Sequence, residues 1–229
     1  MPGMRSVGPA LVALGLVVVG GCGDDDSTSA PEPAAADKTA AESLVLQLGD
    51  LPVGWRTIAD GPRAAQVGAC QPVATALERR SGEATARFRQ EDGPAGVSNT
   101  VTLWPTTSMA ENYLKAWEDP ALADCAAKAA ERHLTETLGT DPAFQPFEVL
   151  HVGFERLPSS SIGEGSTGQR ISSDIHAGDT NARVIGDYVV IRVGRVTAGF
   201  EFGNIDAPLA DPRDRVISAV VGRLENFDR

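Results

Sequence analysis

The feature that most constrains this chain is an apolar run from Val7 to Val19, with Arg5 as the only charge ahead of it and Gly20-Gly21-Cys22 directly behind it. A cationic start, a short apolar stretch and small residues at its end have the layout of a secretory leader. The stretch is short for a membrane span, because about 20 apolar residues are needed to cross ~30 Å of hydrocarbon. The remainder is therefore expected to fold outside the cytoplasm, where thiols oxidise.

Val19-Gly20-Gly21-Cys22 resembles the bacterial lipobox, in which an aliphatic residue and two small residues precede the cysteine that is acylated before cleavage. On this reading residues 1–21 are a signal peptide, Cys22 is the lipidation site, and the mature chain sits on the outer face of the cytoplasmic membrane. Two or three acyl chains, at about 0.8 kcal/mol per buried CH₂, suffice for stable anchoring. Gly23-Asp24-Asp25-Asp26-Ser27-Thr28-Ser29 follows, and up to Lys38 the composition of Asp, Ser, Thr, Pro and Ala offers little to bury. Residues 22–38 are accordingly expected to form the lipidated start and a disordered tether.

Residues 39–229 have room for one domain of ordinary size. Over 39–49 Leu44 and Leu48 share a stripe, predicting a helix that Gly49 and Pro52 end. The runs 83–90 and 97–104 are rich in Val, Thr and Phe and are separated by Glu91-Asp92-Gly93-Pro94, which predicts an antiparallel hairpin. Met109, Tyr113 and Trp117 recur every four residues, so 107–118 reads as a helix. A second helix is expected over 121–138, with Leu122, Cys125, Ala126 and Ala129 on one face. From 147 the period changes: 147–156, 168–176, 182–193 and 195–202 read as a meander of strands, and 211–224 as a closing helix. The expected fold class is α+β, an antiparallel β-sheet packed by several helices in a single domain.

The net charge of −11 disfavours nucleic acid as a partner, since such binding needs clustered Lys and Arg to displace counterions. Only three lysines (Lys38, Lys115 and Lys128) stand among the 20 basic residues, a bias associated with GC-rich genomes such as those of actinobacteria. With Cys22 acylated, Cys70 and Cys125 remain as an even pair in an oxidising compartment, which favours a disulfide between them. The alternative is two buried thiols; a metal site would need a CxxC or paired His that accompanies neither.

The lipobox, an N-terminal helix followed by Leu51-Pro52-Val53-Gly54-Trp55, a cysteine ending the first loop, a helix like Met109 to Trp117 before a second cysteine, and Val189-Val190-Ile191-Arg192-Val193-Gly194-Arg195 together carry a resemblance. The chain resembles actinobacterial lipoproteins whose domain is similar to the extracellular sensor of mycobacterial PknH-type kinases. The resemblance implies a disulfide-linked antiparallel sheet with helices and a ligand-binding cleft; Cys70 and Cys125 are the residues that carry over. The chain has one cysteine pair where that family has two, and no kinase domain.

Catalytic signatures are sparse. Gly163-Glu164-Gly165-Ser166-Thr167-Gly168 has the letters of a dinucleotide loop, but Arg170 to His176 alternates like a strand where that device needs a helix. His133, His151 and His176 lack metal-ligand spacing, and no G-x-S-x-G elbow occurs. No cofactor, metal or catalytic residue is expected. If 168–176 is a strand, Arg170, Ser172, Asp174 and His176 share one face, with Arg192 on a neighbouring strand, and such a face could receive a polar ligand. The expected function is a non-catalytic, sensor-like module that binds a small molecule or an envelope protein. A carrier of lipid or another apolar molecule, or an envelope hydrolase, are the alternatives.

Overall fold

The computed structural model describes residues 33–58, 70–138, 145–158, 161–210 and 212–227. The expected leader (residues 1–21), Cys22 and residues 23–32 lie outside them. The elements are α1 (Pro33–Leu44), a 3₁₀ turn at Leu48–Asp50, β1 (Trp55–Thr57), α2 (Val73–Leu77), β2 (Gly82–Gln90), β3 (Gly96–Leu103), α3 (Thr107–Trp117), α4 (Leu122–Leu138), β4 (Phe147–Leu157), β5 (Gly165–Ala177), β6 (Thr180–Val193), β7 (Val196–Ile205) and α5 (Arg213–Phe227). The seven strands form one sheet in the order β1-β2-β3-β7-β6-β5-β4, antiparallel throughout. The fold is α+β, as the change of period along the sequence predicts.

Alternation along each strand divides the sheet into two faces. On β7, Val196, Ala198, Phe200 and Phe202 are buried on the first face, in register with Leu103, Val101, Asn99 and Val97 of β3. Helix α1 packs there against β2 and β3, and α5 against β6 and β7. Thr197, Gly199, Glu201 and Gly203 point to the second face, where α3 lies on β5, β6 and β7, and α4 on β4 and β5. Two apolar clusters result: Phe200, Phe202, Val220 and Leu224 belong to one, and Trp104, Tyr113, Trp117 and Ile171 to the other. The helices thus cover opposite ends of the two faces; among the described residues no helix packs on β4 and β5 on the first face or across most of β2 and β3 on the second.

Polar ties fix these layers. Buried Asn99 accepts from the Leu46 backbone at 2.8 Å and donates to the Gly199 carbonyl at 3.0 Å, joining the chain after α1 to β3 and β7. Arg223 of α5 donates to both carboxylate oxygens of Asp50 and to the carbonyls of Leu44 and Val45 at the end of α1, where unpaired carbonyls favour a cation. Cys70 and Cys125 form a disulfide that ties the approach to α2 to α4. A cross-link spanning 55 residues stabilises by about 4 kcal/mol in the chain-entropy model.

Helix α1 corrects two boundaries. It starts at Pro33, six residues before the expected start at 39, so residues 33–38 of the expected tether are helical; it ends at Leu44, and Leu48 stands 46% exposed in the 3₁₀ turn. The cause is tertiary: Asp37 receives a two-bonded fork from Arg195 at 2.8 and 2.9 Å, and a Cβ at Gly82 would meet the Asp37 backbone at 2.4 Å. That ion pair holds the Asp37 carboxyl below its usual range. The sequence reading also omits β1 and α2, both too short to show a period.

Candidate functional site

The strand face singled out in the sequence exists, with its charges largely engaged. Register places Arg170 opposite Asp187, Asp174 opposite Arg183 and His176 opposite Asn181, all on the first face. Arg170 forms a fork on Asp187 at 2.6 and 2.8 Å, and Arg213 of α5 reaches the same carboxylate at 3.1 Å. Asp187 is 1% exposed, so this triad fastens α5 to the sheet. Arg183 pairs with Asp174 at 2.6 Å in solvent, and the His176 ring meets Asn181 at 2.8 Å. Arg192 does not join them. It lies an odd number of residues from Asp187 on β6 and therefore faces the other way, where it pairs with Glu164 at 2.5 Å and approaches Glu111 of α3 at 3.8 Å.

A different constellation lies on the second face. One row crosses the sheet in register through Arg87, Ser98, Glu201, Tyr188, Gln169 and Arg156. The next row holds Gly96, Gly203 and Gly186 side by side on β3, β7 and β6. The Tyr188 ring folds back over Gly186, where a Cβ would stand 3.3 Å from Cε2, and its hydroxyl donates to Glu201 Oε1 at 3.3 Å. Among the described residues nothing lies within 4 Å of a Cβ built at Gly203. The result is a recess with a backbone floor, an aromatic plate and a half-buried carboxyl, beside the C-terminal end of α3.

The chemistry of the recess follows from its depth. Burial pushes the Glu201 carboxyl up to about 7, against the opposing pull of the Tyr188 hydrogen bond and the charge of Arg87. Burial and the nearby Glu201 raise the Tyr188 hydroxyl well above its ordinary range. Near neutral pH the carboxyl therefore exists in both protonation states and can donate or accept a hydrogen bond. Gln169, 2% exposed, donates from Nε2 to the Trp117 carbonyl at 2.5 Å, while its Oε1 has no partner among the described residues. Buried amide oxygens are normally satisfied, so this acceptor marks the row as polar beyond its internal needs.

Other features weigh less. Residues 163–168 lead into β5 rather than a helix, which removes the dinucleotide reading; Glu164 instead accepts from Arg192 and from the Gly194 backbone. A hollow of about 520 Å³ lies between α4 and the edge strand β4, lined by Asp124, Lys128, Glu131, Leu150, His151 and Val152. Most of those side chains are exposed, so it provides no desolvated wall. Among the described residues no group of three or more His, Cys, Asp or Glu is placed to hold a metal ion, and no helix is long and apolar enough to cross a membrane.

Sequence reasoning missed the recess because its residues come from four strands with no local motif. The signal present was Gly186-Asp187-Tyr188 and Glu201-Phe202-Gly203, each placing a glycine two residues from a polar side chain on a shared face.

No protein-family model matches the chain, and no curated protein matches it. Among solved structures it is similar to the extracellular domain of PknH from Mycobacterium tuberculosis, at 8% identity over 82% of this chain and 96% of that one, with a TM-score of 0.43.

Proposed function

We propose that this protein is a lipid-anchored, extracytoplasmic module that binds a small polar ligand without converting it, and that the ligand sits in the Tyr188–Glu201 recess. The lipobox-like Val19-Gly20-Gly21-Cys22 supports the anchor, and the Cys70–Cys125 disulfide fits a compartment in which such bonds persist. The observation that carries the binding reading is the recess itself: a carboxyl and a phenol held half-buried beside three adjacent glycines, with no described atom within 4 Å of a Cβ at Gly203. A structural pair needs partners, but it does not need a bare floor beside it.

Native mass spectrometry of the full-length chain and of Gly203→Val tests the reading. Valine suits a strand and its Cβ would meet no described atom within 4 Å, so the variant is expected to fold while its side chain occupies the recess. We expect a ligand to accompany the wild-type chain and to be absent from the variant. A ligand held equally by both, or by neither, overturns the assignment.

A further inference from the structure

Building on that reading of the recess, we propose that its ligand class is saccharide: one pyranose or furanose unit lying flat on the Tyr188 ring, with its hydroxyls shared among Glu201, Ser98 and Arg87. Three features of the geometry select this chemistry.

The first is shape. The Tyr188 ring lies back over Gly186, and the in-register glycines Gly203 and Gly96 continue the row as backbone without side chains across the next two strands. A sugar ring has apolar C–H faces that pack on an aromatic plate and hydroxyls around its rim. The hydroxyls would meet the polar row that borders the plate.

The second is the balance of donors and acceptors. A hydroxyl both donates and accepts, and the row supplies both functions: Arg87 only donates, Ser98 does either, and Glu201 does either according to its proton. Ligand groups that are donors as well as acceptors use this set fully, whereas a pure acceptor such as phosphate would face the Glu201 carboxyl, with Arg87 two strands away on one side and Arg156, engaged with the Glu118 carbonyl, three strands away on the other. Phosphorylated ligands are disfavoured on that ground.

The third is charge. A free amino acid could set its ammonium on Glu201 and its carboxylate on Arg87, but both ligand charges would then have to leave water, which costs far more than desolvating a neutral hydroxyl. Neutral hydroxyls make no such demand.

The experiment is a binding screen of the full-length chain against an array of neutral mono- and oligosaccharides, with free amino acids and nucleotides as competing classes, followed by titration of any hit. Wild type is compared with Gly203→Val, Tyr188→Ala, Tyr188→Phe and Asp174→Asn; the last lies on the opposite face. We expect a saccharide to bind, affinity to fall at least tenfold in Gly203→Val and Tyr188→Ala, less in Tyr188→Phe, which keeps the plate, and to be unchanged in Asp174→Asn. If an amino acid or nucleotide binds instead and is lost in Gly203→Val, the recess stands and the saccharide class falls. If a saccharide binds and survives Gly203→Val, the recess falls too, and no binding of any class overturns both.

Discussion

Asp187 shows how a single buried carboxylate changes the meaning of the residues around it. Arg170 and Arg213 come from different elements and converge on it, and with 1% exposure it has no water to fall back on. Arg170→Ala is therefore expected to destabilise the fold by about 2–4 kcal/mol, because removing one partner of a buried pair leaves charge uncompensated. Asp174→Ala, four residues along the same face, breaks an exposed pair with Arg183 and should leave the thermal midpoint unchanged. Equal midpoints for the two variants would refute this division. Sequence alternation placed both residues on one face correctly; it could not show that one of them stands against a buried acid from the next strand. Glu201 provides the opposite case, an acid whose folded value lies above its ordinary 4.5, at about 7. Between those pH values the folded chain holds a proton that the unfolded chain has released, so this group's contribution falls as pH rises through the interval and is flat above it. Glu201→Gln should match wild type near pH 4 and be more stable by about 1–3 kcal/mol at pH 8, read from urea midpoints at each pH. A difference that does not grow with pH would contradict the desolvated placement.

Helix α1 carries the clearest lesson at the level of elements. Pro33-Ala34-Ala35-Ala36-Asp37-Lys38 has no apolar stripe, and by composition it reads as tether, yet alanine is the best helix former and the segment continues into the buried Ala41 and Leu44. What fixes its start is Arg195, 158 residues away, a contact that no local pattern contains. A chain beginning at residue 39 is thus expected to be less stable than one beginning at 33 by about 1–3 kcal/mol, the scale of a charge-assisted hydrogen-bond pair. Chemical denaturation of the two chains measures it, and coincident curves would return residues 33–38 to the tether. Elements with strong periods were legible: Tyr113 and Trp117 of α3 are buried as their spacing requires, and β2 and β3 pair around the predicted turn. Ser166, Thr167 and the end of β7 were less so, because Gly165, Gly199 and Gly203 break the β-branched runs by which strands are recognised.

At the scale of the whole molecule, hairpin neighbours could be read from the sequence while the order of strands could not. β5, β6 and β7 follow one another through tight turns at Gly178 and Gly194, both at positive φ, where glycine adopts the backbone freely. The join of β3 to β7 across the middle of the sheet rests on long-range packing, and the recess depends on that join, since Ser98 and Gly96 reach Glu201 and Gly203 only through it. The proposed attachment of the domain to a membrane rests, by contrast, on a few consecutive residues, Val19-Gly20-Gly21-Cys22. Cys22 lies outside the described residues and is absent from the Cys70–Cys125 bridge, so Cys22→Ser removes the proposed acyl acceptor and leaves that bridge intact. If two or three chains anchor the protein as proposed, at about 0.8 kcal/mol per CH₂, their loss moves it out of the membrane fraction. Cell fractionation combined with palmitate labelling measures both steps. The wild-type chain is expected to be labelled and sedimented with membranes, and the variant unlabelled and lost from them, while domains extracted from either melt at the same temperature. An equal membrane share for both would mean that something other than acylation at Cys22 holds the protein there.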